Sequence, residues 1–117
     1  MIRRSIFAAF VAAVLVGGPA VAQHAGHRGG SANDSPATRA YRAANDKMHK
    51  DMDIRYSGNA DKDFVAGMIA HHEGAVAMAR IVIQHGTDAE IRTLAEGIIR
   101  DQEREIAQMR AWQARNR

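Results

Sequence analysis

Two short clusters of side chains carry most of the chemistry that this sequence offers. Met68-x-x-His71-His72, with Met78 two turns beyond His71, lies in an alanine-rich run, and Met48-His49-x-x-Met52 lies just upstream. Thioether sulfur is a soft donor and imidazole a borderline one. The pairing selects copper: thioethers favour Cu(I), and imidazole also serves Cu(II). No cysteine occurs among the 117 residues, which excludes thiolate zinc sites, disulfides and cysteine nucleophiles. A methionine-based site without thiols suits an oxidising compartment. Methionine is also a common gap-filler in helix cores; Met109 reads that way, and Met68 reads either way.

Those donors reach their place through export and folding. Arg3 and Arg4 form a charged leader, Ile6 to Val16 an apolar run, and Ala20-Val21-Ala22 a small-x-small cleavage site before Gln23. Residues 1–22 are therefore expected to be a signal helix removed after Ala22, which implies a periplasmic or secreted protein. The apolar run is short for a membrane span, so no stable insertion is expected after cleavage. The formal charge of +3 falls to +1 once Arg3 and Arg4 are gone. No basic stripe interleaved with aromatics is present, so nucleic acid is discounted as a partner. Residues 23–37 have the composition of a tether. Its His24 and His27 either add labile metal ligands or are incidental to a solvated linker.

Residues 38–114 read as one all-α domain. Ser35-Pro36 suits a helix start, and the first helix should run to Tyr56 before Ser57-Gly58-Asn59 ends it. At about 100° per residue, Tyr41, Ala44, Met48 and Met52 share one face, with His49 beyond its edge. A second helix is expected over Asp61 to His85, stopped by Gly86, with Asp61 and Asp63 at its positive end. Thr87 and Glu90 suggest a capping box for a third helix with Ile91, Leu94, Ala95, Ile98, Ile99, Gln102, Ile106 and Met109 on one side. Short connections predict a small up-down antiparallel bundle of three main helices. A fourth helix would come from the N-terminal segment or a second copy, so a homo-oligomer is one expectation.

On the second helix, the apolar stripe of Val65, Met68, Val76, Ala79 and Ile83 includes His72, whereas His71 and Met78 share its flank. A core-facing imidazole needs a partner. His72 therefore bonds a carboxylate or Gln102 on the third helix, or joins the thioethers of Met48 and Met52 from a facing helix around a metal. Gly67 and Gly74 suit close helix approach. A di-iron centre is disfavoured, because no Glu-x-x-His occurs and the first helix has no glutamate. No phosphate loop or activated serine stands out, so no enzymatic activity is expected; a metal-dependent oxidase is the least favoured reading.

The run from Asp61 to Ala79, with Met68-x-x-His71-His72 inside it, resembles the signature of the domain-of-unknown-function 305 family. Leu94-Ala95, Ile98-Ile99, Gln102, Glu105-Ile106, Met109, Trp112 and the upstream Met48-His49-x-x-Met52 continue the resemblance over roughly residues 40–113. One departure is Ala70, where many members have proline. The resemblance implies a ferritin-like helical fold, export, and for some members copper binding. Carried to this chain, the implied ligands are Met48, His49, Met52, Met68, His71, His72 and Met78. The expected function is thus a periplasmic protein that sequesters or transfers copper, Cu(I) before Cu(II), in metal homeostasis or resistance. Candidate partners are a copper exporter or another periplasmic copper protein. The alternative is a helical interaction module that dimerises, its histidines and methionines serving mainly as packing.

Overall fold

The structure, a computed structural model, describes residues 32–117. The signal segment, His24 and His27 lie outside the described residues. Three helices follow in order: α1 (Pro36–Met52), α2 (Ala60–His85) and α3 (Ala89–Arg115). They pack as a small all-α bundle. No helix among the described residues is long and apolar enough to cross a membrane.

Local chemistry sets the helix ends. Ser35 caps α1, its side chain accepting from Thr38 N–H at 3.1 Å, and Pro36 occupies the first turn, where a missing N–H costs nothing. The helix stops at Met52, a turn before the Tyr56 expected from sequence. The cause is tertiary: the Asp63 carboxylate accepts from Ser57 N–H and Ser57 Oγ, both at 2.8 Å, and from Gly58 N–H at 3.1 Å. These bonds hold residues 57–58 against the first turn of α2 and leave the chain too short to continue as helix. Gly58 takes φ 83°, as a left-handed position should, but in the connection rather than at the helix end. Asn59, read from sequence as part of the stop, caps α2 through bonds from Asp61 N–H and Lys62 N–H. The cap of α3 is Asp88 rather than Thr87: its carboxylate accepts from Ile91 N–H at 2.9 Å, the N3 donor that a capping residue serves.

Both helix pairs are antiparallel, as the short connections imply. α2 contacts α1 and α3, whereas α1 and α3 bring no Cα atoms within 8 Å of each other. The faces of α2 explain this. Gly67 meets Ile54, Gly74 meets Met48, and Ala70 and Ala77 line the same interface. His72 bonds Glu105, and the Ile83 carbonyl accepts from Arg92. At about 100° per residue the first set centres roughly 180° from the second. The three helices therefore lie side by side as a layer with α2 in the middle. The buried core is correspondingly small: Val65, Ala70, Val76, Ala79 and Ala95, with no large side chain fully buried among the described residues.

Candidate metal centre

The layer divides the donor residues by position. Met48 belongs to the α1–α2 interface, where Gly74 makes room for it: a Cβ at position 74 would lie 2.7 Å from Met48 Cγ. Ala44, Met48, Ala70 and Gly74 line a small cleft there of about 100 Å³, edged by Lys47, Asp51 and Glu73. Glycine and alanine let the helices approach closely, which places the methionine thioether over the α2 backbone.

His72 faces the other way, toward α3. Its Nε2–H donates to Glu105 Oε2 at 2.7 Å, and the ring is 12 % exposed. The carboxylate expected from sequence as one partner is thus Glu105, one turn beyond Gln102. In the neutral ring this tautomer leaves Nδ1 as a lone pair, and Nδ1 is buried without a protein partner, as is Gln102 Oε1. A carboxylate behind an imidazole is also how metal-bound histidines are oriented. Met48 and His72 lie on opposite sides of α2, so these two do not converge.

The remaining donors share one face of the layer. The contacts of Met48 with Gly74 and Ile54 with Gly67 set the register of α1 on α2. By interpolation Met52 is level with residues 69–70, within about 3 Å of axial rise from His71. The cleft residues Lys47, Asp51 and Glu73 mark one side of the α1–α2 seam. Met52 and His49 project toward the opposite side, and so do His71 and Met78. His49, His71, Met52 and Met78 are all exposed. His71 and Met78 are separated by about 10.5 Å of helix rise, whereas Met68 is one turn from His71. The grouping nearest to a single site is therefore Met52, Met68 and His71, with His49 and Met78 at its margins. The rings of His71 and His72 are 6.1 Å apart between centroids. Among the described residues no three His, Asp or Glu side chains group as a metal site, so thioethers would have to complete one.

Comparison with known proteins now adds a family. The profile of the Domain of unknown function (DUF305) matches residues 14–113, most of the chain. The chain belongs to the DUF305 family. An uncharacterized protein of Acanthamoeba polyphaga mimivirus is 39 % identical over 49 residues, covering 42 % of this chain and 32 % of that protein. The chain thus spans about a third of the length of that curated relative. The DUF305 match begins ahead of the stretch that carried the resemblance by motif, and inside the segment read as a signal.

The bond between Asp63 and the α1–α2 connection was not legible from the sequence. Its carboxylate lies below the usual range because of the bonds from Ser57 N–H, Ser57 Oγ and Gly58 N–H, only partly opposed by desolvation. The Lys47 ammonium is raised by its hydrogen bond to Asp51 and the attraction of that carboxylate. Glu73 pairs with Arg110, and Arg80 with Glu103 at 2.8 Å. These ion pairs tie α2 to α3 along the side of the layer away from His71.

Proposed function

We propose that this DUF305 protein is an exported copper carrier or sequestering protein that binds Cu(I) through methionine and histidine and performs no catalysis. The observation that carries this reading is the shared position of Met52 and His71 at one level on one face of the layer, with Met68 a turn from His71. Thioethers select Cu(I) over harder ions, and the lack of a cluster of three nitrogen and oxygen donors among the described residues disfavours a divalent oxygen-rich site. Copper is here the cargo. His72, bonded to Glu105, orders the helix pair on which His71 sits, and its free Nδ1 is the competing imidazole donor.

Titration of the purified protein with Cu(I) against a competing chelator tests this. One ion per chain is expected, with affinity reduced at least tenfold, about 1.4 kcal/mol, by Met52→Ala or His71→Ala. Loss of binding in His72→Ala alone would move the site to the α2–α3 interface. Stoichiometry below one, or no response to any of these changes, would sink the reading. X-ray absorption should report mixed sulfur and nitrogen donors.

A further inference from the structure

We propose that one face of the three-helix layer is covered by a second copy of this chain, stacked on it about a two-fold axis. Stable domains bury apolar faces between at least two layers of secondary structure. Here α1, α2 and α3 form a single layer, and its five buried apolar side chains are all valine or alanine. Beside Tyr56 in the α1–α2 connection, five large apolar side chains are exposed on the helices: Phe64 is 60 % exposed, Leu94 57 %, Ile91 45 %, Met78 41 % and Met52 36 %. By helical phase all five project to the same side of the layer, the side that carries His71. The other side carries the ion pairs Glu73–Arg110, Arg80–Glu103 and Arg92–Glu96. The layer is thus amphipathic as a unit.

The size of the face fits a copy of itself. α2 and α3 have 26 and 27 residues. Each is about 39 Å long, and two helices side by side are roughly 20 Å wide, giving about 800 Å². That is what one partner contributes to a standard stable interface, about 800 Å². Charge permits the pairing: Glu105, on this side, is already bonded to His72, while the arginine-rich ion pairs point away. A covering segment from the chain itself is poorly suited. Once residues 1–22 are removed, residues 23–31 hold no apolar side chain larger than alanine. An isologous contact of this kind would give a two-layer, six-helix assembly.

The full chain is expressed, purified as the cell processes it, and examined by sedimentation equilibrium and thermal unfolding over about 1–100 µM. The expected result is twice the chain mass at the upper end and a Tm that rises with concentration, because association stabilises only the folded state. Phe64→Glu and Leu94→Glu should weaken association at least tenfold, whereas Gln84→Glu, on the far side, should not change it. Should a glutamate variant fail to fold, Leu94→Cys gives a second measurement in a chain without native cysteine: maleimide should label it slowly at high concentration and quickly on dilution. A monomer with a concentration-independent Tm overturns the proposal, whatever else covers the face. So does association untouched by both glutamate variants. Neither outcome depends on copper, so the metal reading can fail separately.

Discussion

Gly74 offers the sharpest test of how α1 is seated. Alanine at this position would place a Cβ 2.7 Å from Met48 Cγ and 3.0 Å from Met48 Cβ, with the sulfur closer still. Two effects oppose each other. Glycine to alanine inside a helix is worth about 0.8–1 kcal/mol in favour of alanine. Overpacking a fitted interface costs about 1–3 kcal/mol. The methionine tip can swing aside, which keeps the cost from the upper end, but Met48 Cβ is anchored to α1 and moves only with the helix. A net loss of about 1 kcal/mol follows, or roughly 4–8 °C in Tm for a domain of this size. In a Met48→Ala background the sulfur and Cγ contacts are gone and only the 3.0 Å approach of the two Cβ atoms remains, so Gly74→Ala should cost clearly less than in wild type and come close to neutral. The assay is urea and thermal unfolding of the four proteins, followed by helical circular dichroism at one fixed concentration. Equal destabilisation by Gly74→Ala in both backgrounds would refute the assigned contact.

Two further outcomes are expected. Glu105→Ala leaves His72 Nε2–H without its acceptor and should cost about 1–3 kcal/mol in urea unfolding, while Glu105→Gln retains an acceptor and should recover much of it. Asp63 makes a pH-dependent contribution whose sign is fixed by its bonds. Its folded-state pKa lies below the unfolded value, so the stabilisation is present above the ordinary carboxylate range and is lost as pH falls through the folded pKa. Wild type should therefore exceed Asp63→Asn in Tm at neutral pH, and the gap should close on acidification; a gap that stays constant would contradict the assignment.

The helices were legible because their signals are local. Ser35-Pro36 marked the start of α1, and the 3.6-residue period marked α3 and the inward side of α2. The phase of His72 relative to Val65 and Val76 placed it on the inward side, and of the two partners left open there it is the third helix, through Glu105, that it meets. What local pattern could not supply was the long-range competition for backbone donors. Asp63 captures the N–H groups of Ser57 and Gly58, and that decides where α1 ends. The order of the helices around α2 was equally hidden. A bundle of three mutually touching helices and a flat layer have the same periodicities; the small residues Gly67, Ala70, Gly74 and Ala77 mark the difference, since they draw α1 to the side opposite α3. That placement parts Met48 from His72, two donors that periodicity alone allowed to meet.

The absence of contact between α1 and α3 also shapes how the molecule comes apart. α1 has 17 residues, none of them buried, and its helical partner is α2. Detaching it would leave the interface between α2 and α3, with its ion pairs and Val76 and Ala95, untouched. Protection against amide exchange should therefore fall in steps, α1 opening at a lower free energy than the hairpin formed by α2 and α3. Met48, His49 and Met52 travel with that opening, while Met68 and His71 stay behind. A cargo held between the two groups would be released by a hinge already present in the topology, with no need to unfold the protein.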